Sequence, residues 1–209
     1  MKIPTIILGA GGHAKVLIDA LGLLSVPVIG VTDVKKVKGS FCGVRIIGND
    51  EAVFKYKAHE ILLVNGLGSI ADTTRRGELF CRFKGSGYSF ATIVHPSAVV
   101  AGGVEIGEGV QIMAGAVVQT SSSIGDNTIV NTKASIDHDC AVGQHVHLAP
   151  GVILSGGVKV GDGAHVGTGA IIIQDLSVGA NAVIGAGAVV VRSVIKQTRV
   201  FGVPAKEVE

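Results

Sequence analysis

From Val94 to Val190 every sixth residue is Val, Ile or Leu. The anchors are Val94, Val100, Ile106, Ile112, Val118, Ile124, Val130, Ile136, Val142, Leu148, Leu154, Val160, Val166, Ile172, Val178, Ile184 and Val190. Four residues after each stands a mostly small or apolar side chain, such as Ala98, Val110, Ala134 or Cys140. A helix repeats near 3.6 residues and a simple strand at 2, so neither makes this pattern. A hexapeptide repeat predicts a parallel β-helix. With three hexads to a coil, equivalent positions recur every 18 residues. Ile106-Gly107, Ile124-Gly125, Val142-Gly143, Val160-Gly161 and Val178-Gly179 mark one corner on successive coils.

The chain before this repeat follows a different rule. Thr5–Leu8 is a short apolar run, and Gly9-Ala10-Gly11-Gly12-His13 is a turn. Ala14–Leu24 has helical spacing, with Val16, Leu17, Ala20, Leu21 and Leu24 on one face. Val26–Val31 reads as a second strand ending at Asp33, and Val44–Ile47 as an edge strand. Asp50–Tyr56 reads as a short helix, Ile61–Val64 as a third buried strand and Ile70–Lys84 as a helix. Strands alternating with helices predict a small parallel α/β sheet. Gly85-Ser86-Gly87 is a loop, after which Tyr88, Phe90 and Ile93 lead into the first coil at His95-Pro96. From Thr198 to Glu209 the repeat is lost; a repeat stack needs an end cap, which this segment or a short helix is expected to supply.

Composition sharpens the picture. Apolar residues make up 47% of the 209, aromatics only 4%, and Trp is absent; a narrow coil interior takes one aliphatic per face and no rings. The 31 glycines suit a chain that turns three tight corners per coil. A net charge of +2 gives no electrostatic case for nucleic acid as the main partner. Cys42, Cys81 and Cys140 are odd in number and unpatterned, which points to a reducing compartment and to neither a disulfide framework nor a zinc motif. The start, Met1–Gly9, is too short an apolar stretch for a signal peptide or a span, so a cytoplasmic protein without membrane contact is the expectation.

Two stretches carry candidate chemistry. Gly9-x-Gly11-x-x-Ala14 follows a strand and opens a helix, with Asp33 about 20 residues on, at the end of the next strand. This is the context in which helix amides face a phosphate and an acid faces a ribose hydroxyl. Only one such half is present, whereas a full NAD site uses two. His13 stands at the helix start, where it can donate to a phosphate or sugar oxygen. The second stretch is Asn131–Cys140, where polar groups crowd the repeat. His138 is the third residue of its hexad and points outward, with Asp137 and Asp139 beside it. A carboxylate can orient an imidazole and raise its basicity. Gly156 lies one coil above His138 and offers a bare amide to a developing oxyanion. His147 and His165 differ by one coil and should stack, with His145 nearby; His145 and His165 read most simply as surface or interface side chains.

Together, Gly9-Ala10-Gly11-Gly12-His13, the Asp33 strand end, Asn65-Gly66, Ile136-Asp137-His138-Asp139-Cys140, Ser155-Gly156-Gly157 and Gly202-Val203-Pro204-Ala205-Lys206 resemble the hexapeptide-repeat sugar acetyltransferases of the sialic-acid O-acetyltransferase type. These include the N-acetyltransferases of nucleotide-linked bacillosamine and perosamine, and the resemblance covers almost the whole chain. It implies a Rossmann-like nucleotide-sugar-binding domain at 1–88 and a left-handed parallel β-helix acetyltransferase domain with a C-terminal cap at 89–209. It implies a homotrimer with acetyl-CoA between neighbouring subunits, and no metal. It makes His138 the general base and Asp139 its carboxylate partner. It assigns His147, Gly156, Thr168 and Ala186 to acetyl-CoA, and Gly12, His13, Ala14, Asp33, Val34 and Gly66 to the nucleotide sugar. Asp139 stands where the family often has Glu, and Ala186 where it often has Gly.

The implied reaction is acetyl transfer from acetyl-CoA to the amine of a nucleotide-linked amino sugar, with a 4-amino-4,6-dideoxy sugar as the type. A base and an amide donor are sufficient machinery. Arg192, Lys196, Arg199 and Lys206 near the stack's end are candidate partners for CoA phosphates. The competing readings are O-acetylation of a sialic acid or other sugar, a NAD-dependent oxidoreductase, a zinc hydratase on the same β-helix, and a non-catalytic sugar-binding trimer. In a regular strand neither Asp137 nor Asp139 would reach His138; the Asp139 assignment requires the chain to bend there.

Overall fold

The computed structural model describes residues 2–35 and 38–208. The first element is β1 (Thr5–Leu8), whose side chains are all buried. Helix α1 (Gly12–Leu23) follows, then β2 (Val28–Thr32), β3 (Ser40–Phe41) and β4 (Val44–Gly48). A 3₁₀ turn over Asp50–Lys55, β5 (Leu62–Asn65) and helix α2 (Thr74–Gly85) complete this part. The sheet order is β3-β4-β2-β1-β5. Its pairs are parallel except β3 with β4.

Several boundaries differ from the sequence reading, each for a local reason. Helix α1 starts at Gly12 because the glycine turn itself forms the first helical turn, with Gly11 as N-cap. Val16 is 43% exposed; it lies off the buried stripe of Ala14, Leu17, Ala20 and Leu21. The run predicted from Val26 pairs only from Val28. Strand β4 is not an edge, since the two-residue β3 covers it. Helix α2 begins at Thr74, not Ile70. Ala71 adopts φ +60°, which a helix cannot propagate, and Asp72 Oδ1 accepts the Thr74 amide at 2.8 Å, a start signal in its own right. Ile70 is left 92% exposed.

The rest of the chain is a three-sided parallel β-helix whose sides are two-residue strands ending on the hexad anchors. The first sheet stacks Ile93–Val94, Gln111–Ile112, Ile129–Val130, His147–Leu148, His165–Val166 and Val183–Ile184. The second stacks Val99–Val100, Val117–Val118, Ser135–Ile136, Ile153–Leu154, Ile171–Ile172 and Val189–Val190. The third runs from Glu105–Ile106 to Ser177–Val178. Each strand pairs in register with its counterpart one coil on, as Ile136 does with Leu154.

The corners explain the period. The residue three after the anchor has positive φ in every hexad from Gly103 to Gly187, including Asn127, Lys133, Asp139, His145, Asp175 and Asn181. This left-handed position turns the chain through the corner and favours Gly, Asn and Asp. The residue after the anchor is pressed against the next coil: a Cβ on Gly125 would meet the Gly143 carbonyl carbon at 2.6 Å. Inside, anchors such as Ile136, Leu148, Leu154 and Ile172 are fully buried. Each contributes about 1.5–3 kcal/mol of hydrophobic stabilisation. Aromatic packing lies elsewhere, in the cluster of Phe80, Phe83, Tyr88 and Phe90.

The tail does more than cap. Arg199–Phe201 adds a parallel strand to the first sheet beside Val183–Ile184, and Lys206–Glu207 folds back antiparallel on it. The three outer faces differ sharply. The first sheet's outward residues Ile93, Gln111, Ile129, His147 and His165 are buried under the amino-terminal part. The third sheet presents Glu105, Ser123, Ala141, Lys159 and Ser177. The second presents Val99, Val117, Ser135, Ile153, Ile171 and Val189, with Val99 60% and Ile153 43% exposed.

Candidate active site

His138 and Asp139 are the two central residues of the turn that follows Ser135–Ile136. With Asp139 at φ +59°, the chain bends and consecutive side chains come together. Asp139 Oδ2 lies 2.7 Å from His138 Nδ1, so the shorter carboxylate reaches its partner. Asp137 Oδ1 instead accepts the His138 amide at 2.8 Å. A carboxylate at Nδ1 holds the proton there and leaves Nε2 as the free lone pair. The Asp139 hydrogen bond, followed by the Asp137 charge, raises the His138 pKa above the ordinary value.

Gly156 stacks on the imidazole. A Cβ there would lie 2.7 Å from His138 Cε1 and 2.9 Å from Nε2, so any larger residue would displace the ring. The Gly156 N–H has no protein acceptor among the described residues, while the adjoining Gly157 N–H donates to His138 O at 2.9 Å. Base nitrogen and free amide therefore share one exposed corner between the second and third sheets. Cys140 is the nearest thiol, but it is buried against Ser155 O and burial pushes its pKa up, so it is no competing nucleophile.

Asp139→Asn is expected to lower kcat about tenfold and to shift the acidic limb of the pH–rate profile to lower pH, because the His138 pKa loses its largest raising influence. Asp137→Asn should leave kcat within about twofold, since its main contact is to backbone. The reverse ranking in steady-state profiles would reassign the partner.

Thr168, Ala186 and His147 line one cavity of about 520 Å³, closed by Ser69, Ile70, His165, Arg199 and Phe201. It lies along the corner between the first and second sheets. Gly156 does not line it; the second sheet stands between. The four residues assigned to acetyl-CoA thus occupy two different edges of one chain. Arg199 reaches this cavity, whereas Arg192, Lys196 and Lys206 do not line it.

His147 is buried. Asn131 Nδ2 donates to its Nε2 at 3.1 Å, an assignment set by the Asn131 oxygen accepting the Thr132 amide. Its Nδ1–H donates to Ser69 Oγ at 2.7 Å and Ser69 O at 3.0 Å. Burial, with the charges of neighbouring basic groups, lowers its pKa to about 3. It is a neutral, fixed group and no substitute base for His138. His165 packs edge-on against it at 5.2 Å. His145 packs under α2 on Phe80 and hydrogen-bonds Asn127. Neither is a free surface side chain.

The residues assigned to the nucleotide sugar divide between two further cavities. Gly12, His13 and Gly66 line one of about 600 Å³, with Gly11, Val16, Gly68, Ser69, Ile70, Asn131 and His147. Asp33 and Val34 line another of about 400 Å³, with Gly9, Ala10, Asp50, Arg75 and Arg82. Leu67 borders both. Ala14 is fully buried in the core, so only its backbone faces the glycine turn. Gly66 is packed so that a Cβ would meet Leu8 O at 2.8 Å, and its amide is taken by Leu8 O. His13 Nε2 lies 2.6 Å from Gln111 Oε1, and Gln111 Nε2 donates to Asn65 O at 2.9 Å. Since that oxygen needs a donor, His13 carries its proton at Nε2 and spends it on Gln111, not on the cavity. It does not donate there as the sequence suggested. Ser69, which sequence reasoning missed, joins this cavity to that of Thr168 and Ala186. No spacing signal marks it, because it lies in an irregular loop.

Burial, with the Arg76 charge adding to it, lowers the His13 pKa to about 4. The unfolded chain protonates both His13 and His147 near pH 6.5. The stability they contribute is complete above that value and is lost as pH falls toward about 4 and 3. Calorimetry from pH 7 to 4.5 should show a falling Tm whose slope is reduced in His13→Gln/His147→Gln.

Residues 5–82 match the family described as the PglD N-terminal domain. A histidine variant of GDP-perosamine N-acetyltransferase from Caulobacter crescentus, in complex with CoA and GDP-perosamine, has a TM-score of 0.93 and 38% identity over 99% of this chain and 97% of that one. The acetyltransferase domain of PglB from Neisseria gonorrhoeae, in complex with acetyl coenzyme A, gives 0.92 and 31% over 100% of both chains. WeeI from Acinetobacter baumannii gives 0.90 and 25% over 98% and 99%. No curated protein sequence matched.

The fold is therefore that of the hexapeptide-repeat acyltransferases, a left-handed β-helix behind a small α/β domain. Within them, the chain belongs to the nucleotide-linked amino-sugar N-acetyltransferases of the sialic-acid O-acetyltransferase type.

Proposed function

We propose that this protein transfers the acetyl group of acetyl-CoA to the amine of a nucleotide-linked amino sugar of the 4-amino-4,6-dideoxy type, for glycan or surface-polysaccharide synthesis. The observation that carries this reading is the exposed His138, oriented by Asp139 and stacked on a glycine whose amide has no acceptor among the described residues. The CoA and GDP-perosamine complexes of the Caulobacter crescentus relative support the substrate classes.

The sugar amine attacks the thioester carbonyl. As the C–N bond forms, its proton passes to His138 Nε2. Asp139 stabilises the resulting imidazolium, and the Gly156 N–H faces the developing oxyanion. Collapse breaks the C–S bond, and the sulfur of CoA leaves with a proton. No step calls for a metal, and among the described residues no cluster of three His, Cys, Asp or Glu could hold one.

The amino-terminal part, residues 1–88, presents the nucleotide sugar in the cavities beside the glycine turn. Residues 89–209 supply the chemistry and the acetyl-CoA groove. His138 with Gly156, and Thr168 with Ala186, lie on opposite edges of the second sheet. The apolar column between them suits packing against a second copy. A homotrimer brings the His138 corner of one subunit to the Thr168 corner of the next. Free thiols throughout suit the reducing cytoplasm, and among the described residues no helix is long and apolar enough to cross a membrane.

The deciding experiment measures thiol release from acetyl-CoA with a panel of nucleotide-linked 4-amino sugars, with sialic acid as the contrasting acceptor. Turnover on an amino sugar is the expected result. Turnover on sialic acid alone would make the protein an O-acetyltransferase.

A further inference from the structure

Arg76 is the largest fully buried side chain, 1% exposed, on the first turns of α2. Among the described residues no carboxylate pairs with it. Its Nε donates to Asn127 O at 3.2 Å, and its Nη1 to Asn65 O at 2.9 Å and Leu67 O at 2.7 Å. Nη2 has no partner. Burial draws its pKa down to about 9, which leaves it charged at neutral pH. A buried charge without a counter-charge is costly, so an anion that arrives with a ligand is the natural complement.

The loop that Arg76 holds is the wall of the glycine-turn cavity. A trans peptide sets its C=O and N–H in opposite directions. With Leu67 O fixed on Arg76, the Gly68 N–H points away from the guanidinium, toward the cavity that Gly68 lines with Gly11, Gly12 and His13. The Gly68 amide has no acceptor among the described residues. Its neighbours are committed elsewhere: Gly66 N–H to Leu8 O and Leu67 N–H to Asn65 Oδ1. One free amide and the amino-terminal end of α1 thus face a common space, with an unpaired cation behind the wall.

We propose that Arg76 is a positioning residue for the nucleotide-linked substrate: it turns the Gly68 amide into the cavity and places a buried positive charge behind the phosphate oxygen that this amide holds. The inference rests on the reading that the substrate is nucleotide-linked. It separates Arg76 from a residue that merely fastens α2 to the β-helix, because a fastener would not distinguish ligands by charge.

The test uses uridine and guanosine diphosphates and the matching nucleosides as probes, titrated into the full chain by calorimetry. Wild type should bind a diphosphate at least about tenfold more tightly than its nucleoside, the scale of a charge-assisted hydrogen bond. Arg76→Met keeps the volume and removes the charge. It should bring the two affinities to within about twofold and raise KM for the nucleotide sugar about tenfold, with KM for acetyl-CoA unchanged. A folded Arg76→Met that keeps the diphosphate preference overturns the proposal. If that variant does not fold, the Gly68 amide resonance of ¹⁵N-labelled wild type decides: a downfield shift with diphosphate but not nucleoside supports it, and no shift overturns it. Wild type that binds neither diphosphate overturns the nucleotide-sugar reading itself, a different result from loss of the Arg76 effect alone.

Discussion

Replacing His138 with alanine is expected to lower kcat about 10²–10⁴-fold, the usual worth of a general base. Stability should change little. The side chain is 60% exposed and sits outside the stacked aliphatic core. Among the described residues its side chain hydrogen-bonds only Asp139, itself 66% exposed. KM for acetyl-CoA should hold within about threefold, because taking the amine proton is a task of the transition state and not of thioester binding. Single-turnover thiol release, with a melting curve on the same sample, separates lost chemistry from lost structure. Near wild-type turnover in a folded variant would remove His138 from the mechanism, and His147 could not replace it: with a pKa of about 3 and both ring nitrogens engaged, it takes up no proton at working pH.

The second large effect belongs to assembly. Ile153→Glu puts a carboxylate in the middle of the exposed apolar column of the second sheet. Burying that charge in a subunit contact without a partner is costly. Light scattering should report a monomer, and turnover should fall at least about 100-fold, because positioning the two half-sites against each other is lost. Lys159→Glu, on the polar third sheet, is the matched control and should remain trimeric and active. A monomeric Ile153→Glu with full activity would falsify the divided site. Co-expressed His138→Ala and Thr168→Trp chains test the same idea from the other side, since mixed trimers contain some sites built from two intact halves.

The β-helix was legible because its determinant is local and repeated: each anchor must fill the same interior slot. The bend at His138-Asp139 was legible only as a requirement of the family likeness. The positive-φ corner that supplies it recurs at Asn127, Lys133 and Asp175 with no common side chain. The start of helix α2 is not legible in the Ile70–Thr73 composition; the Asp72 carboxylate on the Thr74 amide sets it. Arg76, Asn127 and Gln111 could not be read at all, and Asn65 only as part of the family likeness. Their bonds join residues far apart in the chain, and a buried Arg looks in sequence like any solvated one. The separation of Gly156 from Thr168 was equally hidden, since it depends on which side of the prism each hexad occupies.

The in-register stacking of coils sets a rule for how such a chain can change length. Eighteen added residues supply one more rung and lift everything beyond by about 4.8 Å. Six added residues between His138 and Gly156 would instead rotate all later sides by one face. The glycine would leave the histidine's corner, and beyond the insertion the column of Val and Ile would be exchanged for the first sheet's His165 and Val183. Both the proposed catalytic pair and the proposed contact surface would be lost without a single residue being replaced. Evolution of this enzyme by insertion or deletion inside the stack is thus quantised in whole coils, and freer drift is confined to the loops of the amino-terminal part.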